Sequence, residues 1–225
     1  MPKTLRPLVA EFIGVFFLTF AGCGAIVANT YRDGSVGLIG IAAAHGLALA
    51  IAVSATMNVS GGHINPAITL GLWSVGRINA KNAGLYVFAQ LLGATAAAYA
   101  IKGLYPEMAG GIAALGTPRI ASDINLTQGI VIEAILTFFL AFAVMGTAVD
   151  PGAPKIGGFA IGLTVMFGIL AGGTMTGAAM NPARAFGPAL VSGTWIGHIA
   201  YWVGPILGAI AAMQVYERVL LKKDG

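Results

Sequence analysis

The sequence predicts an all-α membrane protein with six transmembrane helices and two shorter, re-entrant half-helices. Three observations predict this class: the composition, the number of long apolar stretches, and an internal repeat. Apolar residue types make up 57% of the 225 residues and charged types only 9%, against about 45–50% and about 25% in soluble domains. So few charges could not cover the surface of a soluble fold of this size. The chain is therefore predicted to lie in a lipid bilayer.

Six long apolar stretches provide the predicted transmembrane helices. Each could cross a hydrocarbon core of about 30 Å, which takes about 20 helical residues. They cover residues 8–28, 36–57, 83–104, 126–149, 156–172 and 196–221. Two further apolar pieces, near residues 65–74 and 181–191, are long enough for only half a crossing. The first stretch is longer than the core of a cleavable signal and lacks a clear small-residue cleavage site, so it is predicted to be a membrane span.

The positive charges predict the orientation of the chain. The net charge is +4, but the basic residues are scattered through the connections and therefore indicate topology, not a nucleic-acid surface. With both termini in the cytoplasm, eight basic residues lie inside and three outside. The inside set is Lys3, Arg6, Arg77, Lys81, Lys155, Arg218, Lys222 and Lys223, and the outside set is Arg32, Lys102 and Arg119. The short tails favour a bacterial plasma membrane.

The two halves of the chain repeat one unit. Residues 11–20 match residues 133–142 at six of ten positions. Tyr86 and Gln90 in the third span correspond to Tyr201 and Pro205 in the sixth. Three spans per half is an odd number, so the second copy must run inverted through the membrane. The sequence thus predicts a single transmembrane domain over residues 1–225, with inverted repeats at roughly 1–110 and 120–225 and a functional site between them near the midplane.

Both halves contain the same tripeptide within a membrane-embedded stretch. Asn is a favoured N-cap and Pro is favoured at the first helical position, so each tripeptide is predicted to begin a short helix. About ten helical residues rise roughly 15 Å, half of the membrane, so two inverted half-helices would meet at the midplane. Two ordinary helix starts are the alternative, which the matching repeat positions disfavour. The tripeptides are Asn65-Pro66-Ala67 and Asn181-Pro182-Ala183.

This geometry predicts how the site would act on a solute. Each half-helix N-terminus carries about half a positive charge, so two of them at one point form a barrier to cations and protons. The side-chain amides of Asn65 and Asn181 could donate to one water molecule, which would then relay a proton poorly. Small residues before each tripeptide permit extended backbone, whose carbonyls need a water-filled cavity at membrane depth. The predicted pore carbonyls belong to Gly61, Gly62, His63, Gly177 and Ala179.

These residues resemble the aquaporin (major intrinsic protein) family over essentially the whole chain. The family signature is two Asn-Pro-Ala boxes, the first preceded by Ser-Gly-Gly-His and the second followed by Arg, here Arg184. The resemblance implies an hourglass fold of six helices and two half-helices, one pore per monomer, and a homotetramer. It also implies that Glu11 and Glu133 are buried and brace the two re-entrant loops. Carboxyl groups inside a membrane are rare and mark functional sites.

The resemblance also places a selectivity filter on four positions, namely His45, Ile169, Ala178 and Arg184. Strictly water-selective members have Phe, His, a small residue and Arg, and this chain departs from that pattern at the first two. The set is more similar to plant tonoplast intrinsic proteins, some of which conduct ammonia or urea. Their additional pore histidine in the outer loop has no counterpart at residues 117–121. Glycerol facilitators typically carry Asp where this chain has Ala185.

The predicted function is a passive channel for water that excludes protons and ions, with small neutral solutes left open. The alternatives are a channel mainly for ammonia, urea or glycerol, a secondary transporter, and a junction protein with a closed pore. A transporter would need carboxylate ligands near the helix breaks, and neither box has one. A closed pore would need large aromatic groups at positions such as Ile169 and Ala178.

Other reactive residues are given non-catalytic interpretations. The chain has no Ser/His/Asp arrangement, phosphate loop or converging carboxylate pair, so an enzyme and a cofactor are not predicted. Cys23 is the only cysteine and is interpreted as a packing residue, so no metal site is predicted. His63 either lines the inner vestibule or packs against its neighbours, and His198 is interpreted as interfacial. Trp195, Tyr201 and Trp202 are predicted to form an aromatic belt.

Overall fold

A computed structural model describes residues 5–108, 111 and 113–221 of the chain. Lys3, Lys222 and Lys223, which entered the charge argument, lie outside the described residues. Within the described part, regular secondary structure is entirely helical. The eight α-helices are α1 (Leu5–Tyr31), α2 (Gly37–Ser60), α3 (Pro66–Ser74), α4 (Ala80–Leu104), α5 (Leu126–Val144), α6 (Gly157–Thr176), α7 (Pro182–Ser192) and α8 (Ala200–Val215). Short 3-10 turns lie at Pro106–Met108 and Ala114–Gly116.

Among the described residues, five helices are long and apolar enough to cross a membrane. They are α1, α2, α4, α6 and α5 together with its π-helical extension Met145–Val149. The sixth predicted span, 196–221, does not form one continuous α-helix. Residues before α8 form turns at Gly197, which has a left-handed φ of 66°, and α8 itself has only 16 residues before the π-helical turn Tyr216–Leu220. The glycine therefore delays the helix that the apolar run predicted to begin at residue 196.

Both half-helices form where the sequence predicts them. Helix α3 has 9 residues and α7 has 11, and each begins at the proline of its tripeptide. Asn65 and Asn181 are the N-caps, in extended backbone conformation, and their side-chain oxygens accept from Ala67 N at 2.8 Å and Ala183 N at 3.0 Å. The caps satisfy backbone donors that would otherwise be unpaired at membrane depth.

The two halves of the chain interlock through the half-helices. Each half-helix packs against the third long helix of the other half, α3 against α8 and α7 against α4. A Cβ atom at Gly71 would lie 3.3 Å from the Ala209 Cβ, and one at Gly187 would overlap the backbone of Ala94. These close approaches hold each half-helix on a backbone surface of the opposite repeat.

The long helices of the two halves meet along α2 and α6. The crossing point is formed by Gly46 and Gly162, which the repeat places at equivalent positions. A Cβ at Gly46 would lie 2.7 Å from the Gly162 carbonyl oxygen, and the reverse contact is closer. Helices in lipid approach this closely only through small residues. Close contacts at glycines therefore hold both the half-helices and the pair α2 and α6 in place. The N-terminal ends of the two half-helices define the candidate site.

Candidate functional site

The two half-helices meet at Asn65 and Asn181, whose side chains cross between the repeats. Asn65 Nδ2 donates to the Met180 carbonyl at 2.7 Å, and Asn181 Nδ2 donates to the Ile64 carbonyl at 2.9 Å. Each carboxamide nitrogen has two hydrogens, so this contact uses one and leaves one for the cavity. Both amides were predicted to donate to a water molecule. The structure instead uses half of their donor capacity to join the two loops.

The residues just before each asparagine are in a left-handed conformation. Ile64 has φ of 54° and Met180 has φ of 49°, a region that disfavours side chains with a Cβ by about 1–2 kcal/mol per residue. Their carbonyls accept from the opposite asparagine, and their amides donate to a buried carboxyl group. Contacts on both sides of each strained residue therefore hold it in place.

Glu11 lies behind the first re-entrant loop and is fully buried. Its Oε1 accepts from Ser60 Oγ at 2.6 Å and His63 N at 2.9 Å, and its Oε2 accepts from Ile64 N at 2.6 Å. Glu133 makes the same contacts in the second half. Its oxygens accept from the hydroxyl of Thr176 at 2.7 Å, from Ala179 N at 2.9 Å and from Met180 N at 2.8 Å.

These bonds satisfy donors in backbone that has no helical partner. An unpaired backbone group in hydrocarbon costs several kcal/mol, so the two carboxyl groups compensate for the irregular segments. Neither Glu11 nor Glu133 lines the two cavities found beside the loops. The bracing role that the family resemblance implies for Glu11 and Glu133 stays a prediction, which these contacts support.

Two tyrosines complete the loops, and sequence reasoning missed their role. Tyr86 donates from its hydroxyl to the Ser60 carbonyl at 3.0 Å, and Tyr201 donates to the Thr176 carbonyl at 2.8 Å. The prediction that Tyr201 belongs to an aromatic belt is wrong, because its side chain is fully buried. Trp195 is 44% exposed, and its place in an aromatic belt stays a prediction. The correspondence of Tyr86 with Tyr201 in the repeat was the signal for their shared role.

Arg184 and His45 are brought together on one side of the cavity. Arg184 is only 1% exposed. Its Nε lies 3.3 Å and its Nη2 3.1 Å from His45 Nε2, while Nη1 donates to the Gly116 carbonyl at 3.0 Å. His45 Nδ1 lies 2.9 Å from the Ile41 carbonyl. A carbonyl oxygen only accepts, so Nδ1 carries the proton and the lone pair of Nε2 accepts from Arg184.

Two residues that hold Arg184 and His45 in position could not be predicted from the sequence. The first is Gly22 in α1, where a Cβ would lie 2.6 Å from the His45 Cγ, so only glycine leaves room for the ring. The second is Gly116 in the outer loop, whose carbonyl also accepts from Cys23 Sγ at 3.6 Å. Gly116 is 68 residues from Arg184 in sequence, and no pattern marks one backbone carbonyl in such a loop.

Ile169 and Ala178 complete the four positions that the resemblance assigns to the filter. Each is 2% exposed and belongs to the main apolar cluster beside the cavity. Neither is among the residues that line it. Ala178 has φ of 44°, and its amide donates to Thr176 Oγ1 at 3.1 Å. The structure therefore joins His45 with Arg184, and the part of Ile169 and Ala178 in selection stays a prediction.

A cavity runs past the tips of the half-helices. Its polar wall includes both box asparagines, and the remaining wall is largely apolar. Lining residues from the two loops and the filter are Gly62, His63, Asn65, Ala179, Asn181, His45 and Arg184. A second cavity adjoins it and shares Gly62 and His63, with Gly61 and Arg77 also in its wall. Together they form a passage on both sides of the asparagines.

The first cavity is narrow, and its wall contains few groups that could bind an ion. The space left for solvent in the first cavity is about that of one or two water molecules. Among the described residues, no group of three or more His, Cys, Asp or Glu side chains could hold a metal. Gly177 packs against Pro118 and does not line either cavity.

Two half-helices from opposite repeats, joined at paired asparagines beside a narrow passage, define a helical membrane channel. The chain belongs to the major intrinsic protein family, whose sequence profile matches residues 1–216. It is similar to aquaporin TIP4-4 of Zea mays, at 44% identity over 98% of this chain and 89% of that protein. It is also similar to aquaporin TIP4-1 of Arabidopsis thaliana, at 45% identity over 99% of this chain and 89% of that protein.

A solved structure supports the same assignment. The aquaglyceroporin of Plasmodium falciparum superposes with a TM-score of 0.84 at 28% identity, covering 96% of this chain and 97% of that one. The predicted fold class is therefore confirmed. Membership of this family also confirms that the chain is a channel and not an enzyme.

Proposed function

We propose that this protein is a passive channel for water that excludes protons and ions. The observation that carries the proposal is the meeting of Asn65 and Asn181, each with one side-chain N–H left for the passage. Similar proteins are named aquaporins. The narrow space at this point suits single molecules of water, whereas a hydrated ion is too large and would find few compensating charges.

Proton exclusion follows from the same geometry. The N-termini of α3 and α7 each present about half a positive charge to the meeting point. A water molecule there accepts from the two asparagine amides, so its oxygen lone pairs are occupied and its hydrogens point toward the two ends of the passage. Such a molecule cannot accept a proton from its neighbour, which interrupts a relay along the file.

A second candidate function is permeation of small neutral solutes such as urea or ammonia. The specific observation is the pairing of Arg184 with His45, which draws the guanidinium toward one wall. The predicted filter would then place Ile169 where water-selective members have a polar His. An apolar side chain there removes a hydrogen-bonding group and leaves a wall that tolerates a neutral solute.

The assembly and membrane placement complete the proposal. We expect the chain to form a homotetramer in which each monomer, as a single domain over residues 1–225, has its own pore. The bilayer is its medium and water is what it conducts, while small neutral solutes belong to the second candidate function. Both termini are placed in the cytoplasm by the positive-charge bias. The bacterial plasma membrane stays a prediction, and the similar proteins named above come from plants.

The test of selectivity uses purified protein in liposomes and stopped-flow light scattering. Vesicles are shrunk in parallel with sucrose and with urea, and empty vesicles provide the baseline. Faster shrinkage in both osmolytes supports a water channel, and faster re-swelling in urea supports the second candidate. Arg184→Val should increase urea entry, whereas Arg119→Val, at an exposed arginine of the outer loop, should not. Shrinkage no faster than in empty vesicles would refute the proposed function.

A further inference from the structure

The first half of the chain contains a series of polar contacts that runs from Glu11 to the ring of His63. Gln90 Nε2 donates to Glu11 Oε2 at 2.7 Å and to Thr69 Oγ1 at 3.0 Å. Thr69 Oγ1 lies 3.1 Å from His63 Nδ1. Gln90 and Thr69 are both fully buried. A side chain of the cavity wall is thus connected to the carboxyl group behind the loop.

The second half has no equivalent of this series. Residues at the corresponding repeat positions cannot make any of its side-chain hydrogen bonds. Counterparts of His63, Thr69 and Gln90 are Ala179, Ala185 and Pro205. Glu133 nevertheless holds its loop with three donors, so bracing does not require the series. His63, Thr69 and Gln90 occur together in the first half and are all replaced in the second half. This pattern indicates that Thr69 and Gln90 act on the ring of His63.

The hydrogen bonds fix which group donates. Every other partner of Glu11 donates to it, so Gln90 must also present its nitrogen, and both hydrogens of that nitrogen are used. Thr69 donates its single hydrogen to the Asn65 carbonyl at 2.9 Å. Its two lone pairs then accept from Gln90 and from His63, so Nδ1 of His63 is the protonated nitrogen.

The consequence for the cavity lies at the other ring nitrogen. In a neutral imidazole with a proton on Nδ1, Nε2 carries a free lone pair. Among the described residues, Nε2 of His63 has no hydrogen-bond partner, and the ring lines both cavities. Tyr86 packs edge-on against this ring, with centroids 5.1 Å apart, and limits its rotation.

We propose that Gln90 and Thr69 are positioning residues that hold His63 in one tautomer, with Nε2 as an acceptor for water in the passage. The inference rests on the proposed water channel and deepens it. Waters on this side of the asparagines have their hydrogens directed away from the midplane. Nε2 of His63, as an acceptor in the wall, can bind one of these hydrogens. A protonated Nε2 would instead donate to the water oxygen and so oppose that orientation of the water molecules.

The tautomer is tested by ¹⁵N NMR of ¹⁵N-histidine-labelled protein in liposomes. The chain has only three histidines, and loss of a signal in His63→Ala assigns the one of interest. His45 is an internal reference, because its tautomer is fixed by Ile41 and Arg184. We expect Nδ1 of His63 to be protonated in the wild type. Thr69→Val should shift His63 to a mixture of tautomers, and Thr69→Ser, which keeps the hydroxyl, should restore it.

Water permeability provides the second readout. Loss of one net hydrogen bond changes an equilibrium by about twofold to tenfold. We therefore expect the water permeability of Thr69→Val to be lower than that of the wild type by about twofold to tenfold. Thr69→Ser should retain the wild-type rate. Thr137→Val is the matched control: Thr137 is equally buried and donates to the carbonyl of Glu133 four residues earlier, but does not contact His63. Its rate should stay at the wild-type value.

Several results would overturn the inference. A wild-type spectrum with a protonated Nε2 on His63 would contradict it directly, as would unchanged His63 signals in Thr69→Val. Where Thr69→Val does not fold, Gln90→Met removes the donor to Thr69 Oγ1 and so lets the hydroxyl turn its hydrogen toward His63; this variant is held to the same two readouts. A wild type without water permeability refutes the proposed function, while the NMR result still decides the tautomer.

Discussion

Exchanging His45 for Phe and Ile169 for His tests the filter assignment most sharply. The double variant His45→Phe/Ile169→His recreates the combination found in strictly water-selective members. His45→Phe removes the acceptor that lies 3.3 Å from Nε and 3.1 Å from Nη2 of Arg184. Ile169→His then offers a polar group at the position that the resemblance places across the filter. We expect urea permeation to fall to the level of empty vesicles, while water permeation persists.

The size of the effect follows from the Arg184 contacts. A hydrogen bond to a charged group contributes about 1.5–3 kcal/mol, so its loss changes the preference for the side-held guanidinium by roughly tenfold to 150-fold. Among the described residues, the Gly116 carbonyl, at 3.0 Å from Nη1, is then the one hydrogen-bond acceptor left to the guanidinium. The freed N–H groups need new partners, and the passage is where water can supply them. The guanidinium therefore moves inward and narrows the filter.

The assay is stopped-flow re-swelling of proteoliposomes in urea, with each single variant measured beside the double variant. His198→Phe is the control, because His198 contacts Trp195 and Trp202 and does not contact Arg184. It should behave as the wild type. Unchanged urea permeation in a double variant that still conducts water would refute the filter assignment. Equal permeation in the two single variants and the wild type would show that neither position restricts solutes.

Further expectations concern stability and assembly. Tyr201→Phe leaves the buried Thr176 carbonyl without its donor, so the free energy of unfolding should fall by about 1–3 kcal/mol, measured as a lower melting temperature in detergent. Tyr99→Phe, at a 60% exposed tyrosine, should leave that temperature unchanged, and an equal loss in both variants would contradict the assigned role. Gly187→Ala places a methyl group against the backbone of Ala94 and should abolish monodisperse elution in size-exclusion chromatography. Gly84→Ala meets no atom within 4 Å and should elute as the wild type; normal elution of both would argue against the tight seat of α7.

Much of the fold was predictable because membrane helices and their breaks depend on local patterns. The tripeptides at Asn65 and Asn181 fixed both half-helix starts, since N-capping and proline preference act over three residues. The start of α8 was misplaced because an apolar run continues through Gly197, whose left-handed conformation only the structure reveals. Hydropathy reports the environment of a segment and is insensitive to one glycine.

The site was predictable where the repeat gave two copies of one signal. The equivalence of Glu11 and Glu133 in the repeat predicted a common environment, and both carboxyl groups accept hydrogen bonds from their loops. The same logic applied to Tyr86 and Tyr201 would have corrected the aromatic-belt prediction. Contacts that occur once, such as Arg184 with Gly116, lie beyond any pattern because they depend on how a loop folds over the filter.

The most direct test of the central proposal combines water and proton flux in the same liposomes. Shrinkage in sucrose is followed by light scattering, and an enclosed pH-sensitive dye reports the decay of an imposed proton gradient. We expect shrinkage well above the rate of empty vesicles, with a proton gradient that decays no faster than in empty vesicles. Shrinkage at the empty-vesicle rate, or rapid loss of the gradient, would contradict a water channel that excludes protons.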